Sequence, residues 1–296
     1  MKNVCRDARF VTRVALVAAL LIGPAIAAAQ LAPTNGDVVY ARVDGRELAL
    51  DLYMPAGVTA PPLVVWVHGG AWASGTKANA PARFVERGYA MASLDFRQST
   101  DAKFPAQVHD IKAAIRFLRA SAQQYGYRAD RIAIAGSSSG GHLAALVGVT
   151  NGLPALEGSE GEHLDQSSSV QAILDYYGAS DLRTILAQST PYGVGVRRPA
   201  LVRLLGASPS DARALAELAS PMRHLDRDDP PLFLIHGDAD PQMPPQQSVD
   251  LKRAYDKLGL DAELHILPGA KHGGEPFFSS SNLDAALAFL RRTIGP

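Results

Sequence analysis

Short runs of apolar and β-branched residues punctuate the chain, and between them apolar positions recur at helical spacing. The runs are Glu47 to Met54, Leu63 to Val67, Tyr89 to Leu94, Arg131 to Ala135, Val170 to Tyr176, Leu232 to His236 and Ala262 to Leu267. Glu47 to Tyr53 alternates polar and apolar residues, whereas Leu63 to Val67 and Leu232 to Ile235 are apolar throughout and predict strands buried on both faces. Val108, Ile111, Ile115 and Leu118 form one stripe of a helix predicted from about Ala106 to Tyr125 and ended by Gly126. Leu143, Leu146 and Val147 form a second stripe after Ser138; Val249, Leu251, Tyr255 and Leu258 a third before Gly259; and Leu283, Leu287 and Leu290 a fourth. Strands alternating with helices predict crossover units in a mostly parallel sheet of about eight strands flanked by helices, with the early strands as an antiparallel edge. The segment from about Asp181 to Arg227 breaks this rhythm with Pro191, Pro199, Pro209 and Pro221 and short helical pieces such as Asp211 to Ala219. It reads as a small helical insertion over the carboxyl end of the sheet, inside one catalytic domain over residues 30–296.

Composition narrows the class without changing that picture. The 296 residues are 47% hydrophobic and 20% charged, the balance of an ordinary globular enzyme and not of a disordered, collagenous or coiled-coil chain. Lys and Arg equal Asp and Glu at 29 each, so there is no electrostatic footprint for nucleic acid. The charges are not evenly placed. Lys2, Arg6, Arg9 and Arg13 precede an uncharged run from Val14 to Ala29, which ends in the small residues Ala27-Ala28-Ala29. Residues 1–29 therefore read as a secretory signal peptide; the run, interrupted by Gly23-Pro24, is short of the roughly 20 residues a spanning helix needs. The expected location is periplasmic or secreted, with no membrane anchor after cleavage. Cys5, the only cysteine, would leave with that segment, so the mature chain would have neither a disulfide nor a cysteine-ligated metal.

Candidate chemistry concentrates in the loops that follow strands. Gly136-Ser137-Ser138-Ser139-Gly140 lies between the run Arg131 to Ala135 and a helix starting near Ser139. A serine hydroxyl is a weak nucleophile unless a sharp turn presents it to a base, and glycines on either side permit that turn; Ser138 is the predicted nucleophile. A phosphate-binding loop is excluded because His142, not Lys-Ser/Thr, follows Gly141. His68-Gly69-Gly70-Ala71-Trp72 follows another strand, and its backbone can aim N–H groups at a developing oxyanion. Gly70, Ala71 and Ser139 are the expected donors. Of eight histidines, His272 in Pro268-Gly269-Ala270-Lys271-His272-Gly273-Gly274 returns to the carboxyl end of the sheet after the last strand and is the expected base. His142 is expected to pack behind the elbow, His68 to hold the glycine loop, and His236 ends a strand. The acid that orients His272 is expected to be Asp240, with Asp238 and Asp181 as rivals. Trp72, Tyr177, Phe277 and Phe278 are candidates for the lining of the mouth, Trp72 and Tyr177 first. No metal constellation competes: there is no His-Glu-x-x-His, and His163 with Glu160, Glu162 and Asp165 reads as a solvated polar loop.

These motifs, in this order, resemble the α/β-hydrolase superfamily over essentially the whole mature length, and the His68 to Trp72 loop is similar to that of the hormone-sensitive-lipase-like esterases. Asp95-Phe96-Arg97, Phe104-Pro105-Ala106-Gln107, Asp110 to Ala114, Gly136-Ser137-Ser138 with Gly140 to Ala144, and Pro268 to Gly274 resemble the bacterial bifunctional feruloyl and acetyl-xylan esterases. The resemblance implies an α/β-hydrolase fold and a cofactor-free serine esterase acting on short-acyl or feruloyl/acetyl esters, including esterified polysaccharide. Two positions depart from that family: Ser139 stands where alanine is common, and Phe96 replaces the usual tyrosine. Amide hydrolysis, by a prolyl-oligopeptidase-like peptidase or a formamidase, would use the same three residues. A fold kept only for binding would show damage to this pattern, and none is visible.

Overall fold

The computed structural model describes residues 31–295. The signal peptide expected over residues 1–29, with Cys5, lies outside them. Among the described residues eight strands form one sheet: β1 (Asn35–Val43), β2 (Arg46–Tyr53), β3 (Pro62–Val67), β4 (Ala90–Leu94), β5 (Arg128–Ser137), β6 (Ala172–Tyr176), β7 (Leu232–Gly237) and β8 (Ala262–Leu267). Their order across the sheet is β1-β2-β4-β3-β5-β6-β7-β8. β2 pairs antiparallel with both β1 and β4, and every other pairing is parallel, so β2 alone runs against the rest. Every residue of β3, β4, β6 and β7 is buried, as expected of strands covered on both faces. Within β3 the faces alternate. Leu63, Val65 and Val67 join the core under helices Ala106–Ala120 and Ser139–Gly148, while Val64 and Trp66 join the opposite core under helix Ser280–Thr293.

Three expectations are corrected. The helix foreseen from Ala106 to Tyr125 is interrupted at Ser121 and continues as a single turn over Ala122–Tyr125, which Gly126 ends in a left-handed conformation. In helix Gln246–Leu258 the buried side is Gln247, Ser248, Leu251 and Tyr255; Val249 and Leu258 are only half-buried. The insertion is more than short pieces, because Pro191–Leu205 is a 15-residue helix. Thr190 caps it by accepting from the Gly193 N–H, Pro191 occupies its first position, and Arg197, Ala200, Leu201, Leu204 and Leu205 make its buried face. Pro199 is tolerated on the exposed side.

The insertion lies against the carboxyl end of the sheet. The Leu204 carbonyl accepts from the Phe104 N–H at 3.0 Å, and the Arg197 Nε donates to the Gln242 carbonyl at 2.9 Å. Gln247 ties its start to the helix after β7: its Oε1 accepts the N–H groups of Ser180 and Asp181, both at 2.8 Å. Among the described residues no helix is long and apolar enough to cross a membrane.

Candidate active site

β5 runs straight into Ser138, whose φ of 56° and ψ of −120° make it the corner between strand and helix Ser139–Gly148. A β-carbon-bearing residue in this conformation costs on the order of 1–3 kcal/mol, so the surroundings must hold it. The Ser138 N–H donates to the Tyr176 carbonyl at 2.8 Å and its carbonyl accepts from the His142 N–H at 3.0 Å. The corner is possible because its flanks lack side chains. A β-carbon on Gly140 would sit 2.1 Å from the Val67 carbonyl oxygen, and one on Gly136 would sit 2.3 Å from the Gly140 carbonyl oxygen. The end of β3 is thereby pressed directly against the turn.

His272, on the loop after β8, reaches Ser138 with Nε2 at 2.8 Å from Oγ. Its Nδ1 lies 2.6 Å from Oδ2 of Asp240, on the loop after β7. A carboxylate can only accept, so Nδ1 carries the hydrogen and Nε2 is left to accept the Ser138 hydroxyl proton. Asp240 is itself gripped: Oδ1 accepts the N–H groups of Gln242 at 2.8 Å and Met243 at 2.9 Å. Burial alone would push this carboxyl up, but the hydrogen bonds of His236 and His272, the His272 charge and the Met243 N–H outweigh it and hold the group below the ordinary carboxylate range. The other two acids face elsewhere. Asp238 is exposed and accepts from the Gly269 N–H, bracing the histidine loop; Asp181 accepts from the Arg183 N–H and turns toward the insertion. Of the three candidates, only Asp240 meets His272.

The glycine loop stands beside the corner. Gly70, Ala71 and Trp72 have φ of 128°, 53° and 59°, and a β-carbon on Gly69 would fall 3.3 Å from the Ser138 Cβ. Among the described residues the N–H groups of Gly70, Ala71 and Ser139 have no acceptor in the protein, while the Gly70 carbonyl is used by Ala73 and Ser74. Unsatisfied donors beside a nucleophile at a helix N-terminus are suited to an anionic oxygen. His68 holds the loop from below: Nδ1 donates to the Gly69 carbonyl at 2.8 Å, and the ring stacks on Phe96 with centroids 4.5 Å apart.

The structure gives both first-choice lining residues contacts inside the protein. Trp72 is only 1% exposed and its Nε1 donates to His142 Nδ1 at 3.0 Å, so it locks the glycine loop onto the helix. Tyr177 is buried and sets its ring edge-on to His272, 4.9 Å between centroids, backing the imidazole. Phe277 is fully buried behind Tyr177, and Phe278, half-buried, stacks on Tyr176. Sequence reading missed the long-range partners that make these rings structural; the spacing of Trp72 and His142 gives no hint of their contact. A polar cleft of about 510 Å³ between β1 and Ser159–His163 shares no residue with this site.

His142 completes the clamp by donating from Nε2 to the Ala219 carbonyl at 2.7 Å. Burial pushes its imidazole from the ordinary 6.5 down to about 4. The unfolded chain therefore takes up a proton as pH falls through 6.5 while the folded one does not until about 4, so this residue costs stability on acidification. Between those values wild type should lose about 3 kcal/mol from this group, and His142→Gln should lack that slope. Urea unfolding of both proteins at several pH values checks it; equal slopes would refute it.

The model of the BD-FAE family matches residues 50–255. The chain belongs to the BD-FAE family. Its fold is that of the α/β-hydrolases, shared with a truncated carbohydrate esterase from gut microbiota, with a TM-score of 0.80 at 34% identity over 87% of this chain and 95% of that one. Esterase 2 of Thermogutta terrifontis, phosphorylated by paraoxon, is similar with a TM-score of 0.69 at 28% identity, covering 86% of this chain and 92% of that one. Esterase LipC of Mycobacterium tuberculosis is 31% identical over 221 residues, 72% of this chain and 53% of that protein. The chain spans about half the length of the curated relatives it matches. In this BD-FAE member Ser139 is buried as the first residue of the helix after the corner.

Proposed function

We propose that the protein is a serine carboxylic-ester hydrolase. The observation that carries this is the unbroken chain from Ser138 Oγ through His272 to Asp240, at 2.8 and 2.6 Å, beside three unpaired N–H groups. Ser138 Oγ attacks the acyl carbon as its proton passes to His272 Nε2; Gly70, Ala71 and Ser139 N–H groups receive the oxyanion; Asp240 offsets the imidazolium charge. The imidazolium returns the proton to the departing alkoxide, leaving an acyl group on Ser138 that a water, deprotonated by the same Nε2, hydrolyses. The related proteins named above are esterases, which favours esters over amides.

The finer reading is a substrate with a short acyl or feruloyl group on a carbohydrate, met outside the cytoplasm once residues 1–29 are removed. Kinship with a carbohydrate esterase supports it. Initial rates of the purified protein on p-nitrophenyl acetate, p-nitrophenyl octanoate, ethyl ferulate, acetylated xylan and a p-nitroanilide test both levels. Acetate, ferulate and xylan ester should be cleaved, octanoate more slowly, and the anilide at background. A preference for octanoate would overturn the carbohydrate reading alone; anilide cleavage without ester cleavage would overturn the esterase.

A further inference from the structure

We propose that His236 is a positioning residue that holds the acid Asp240 in register with His272, an inference that rests on the serine-hydrolase reading above. His236 is the penultimate residue of β7, four residues before Asp240, and is wholly buried. Its Nδ1 lies 2.7 Å from the Ser248 hydroxyl, on helix Gln246–Leu258. Its Nε2 lies 3.1 Å from the Met243 carbonyl and 3.4 Å from Asp240 Oδ2. Carbonyl and carboxylate oxygens can only accept, so Nε2 carries a hydrogen, and in the neutral ring Nδ1 accepts from Ser248. The sequence thus uses a helix hydroxyl to choose the tautomer of a buried histidine.

Two consequences converge on Asp240. Met243 is held at both ends, its carbonyl by His236 and its N–H by Asp240 Oδ1 at 2.9 Å, so the turn that wraps the carboxylate cannot relax without breaking a buried hydrogen bond. Nε2 also lies 3.4 Å from Oδ2, the oxygen that His272 uses. The carboxylate is therefore fixed in rotation as well as in place, which is what a 2.6 Å contact to the base demands. His236 touches neither substrate nor reacting atoms in this scheme; it acts through Asp240.

The test compares His236→Leu, which removes the donor, with His236→Gln, which can place an amide N–H near the Nε2 position, each alone and His236→Leu also in an Asp240→Asn background. On p-nitrophenyl acetate, His236→Leu should lower kcat about tenfold with KM within about twofold, the size of one lost hydrogen bond to a charged or strongly polar partner. His236→Gln should recover to within about threefold of wild type. In the Asp240→Asn background, followed by single-turnover acylation, His236→Leu should cost less than about twofold more, because its route of action is already gone. If His236→Leu does not fold, as judged by near-ultraviolet circular dichroism, Ser248→Ala replaces it with a smaller loss and the same non-additivity. Full activity in His236→Leu, or an undiminished loss in the Asp240→Asn background, overturns the proposal. Undiminished turnover by Ser138→Ala would instead overturn the hydrolase reading on which it rests.

Discussion

Replacing Ser138 by alanine is expected to lower kcat for ester hydrolysis by about 10⁴-fold or more while leaving the fold intact. The hydroxyl makes one hydrogen bond, to His272 Nε2, so removing it deletes the nucleophile and breaks no packing contact of the corner, whose backbone bonds to Tyr176 and His142 remain. The variant should bind substrate with little change, because the three N–H groups of the oxyanion site belong to the main chain. Two readouts check this: initial rates, and covalent labelling by a fluorophosphonate, which should mark wild type at Ser138 and leave the variant unmarked. A variant retaining a tenth of the wild-type rate would place the nucleophile elsewhere.

Asp240→Asn should cost about as much, on the order of 10⁴-fold in kcat, and for a reason specific to this loop. The Gln242 and Met243 N–H groups both point at Oδ1, so the amide oxygen must take that position and the NH2 must take the other, opposite His272 Nδ1. A donor there turns the imidazole into the tautomer with hydrogen on Nε2, which cannot accept the Ser138 proton. KM should move little, and the melting temperature should fall only modestly because shape is conserved. Rates and thermal unfolding of the same preparation decide it; a loss below about a hundredfold would mean that the acid is supplied by another carboxylate.

The two predictions concern residues that could be read from the chain because each sits just past a strand, and strand ends are marked by apolar runs that stop at glycine. The nucleophile corner, the histidine loop and the glycine loop all carry that mark. Asp240 was separable from Asp238 and Asp181 only as a preference, since all three follow strands; what decides is which carboxylate the backbone of its own turn folds around. β1 escaped notice because only Tyr40 and Ala41 are buried and its pairing with β2 slips twice, so no regular alternation survives. Helix Pro191–Leu205 escaped because Gly193, Gly195 and Pro199 argue against a helix, and its buried face includes a charged residue, Arg197. The inward turn of Trp72 depends on His142, seventy positions along the chain, which local pattern cannot convey.

That buried arginine has a consequence for how the insertion can move. Arg197 grips the Gln242 carbonyl, and the Gln242 N–H grips Asp240. The helix above the sheet and the acid beneath it are thus two ends of one tether. Swinging the insertion outward would not simply uncover a finished catalytic centre: it would tug on the turn that steadies the base. Any change that loosens this tether should therefore be felt first as a lower kcat.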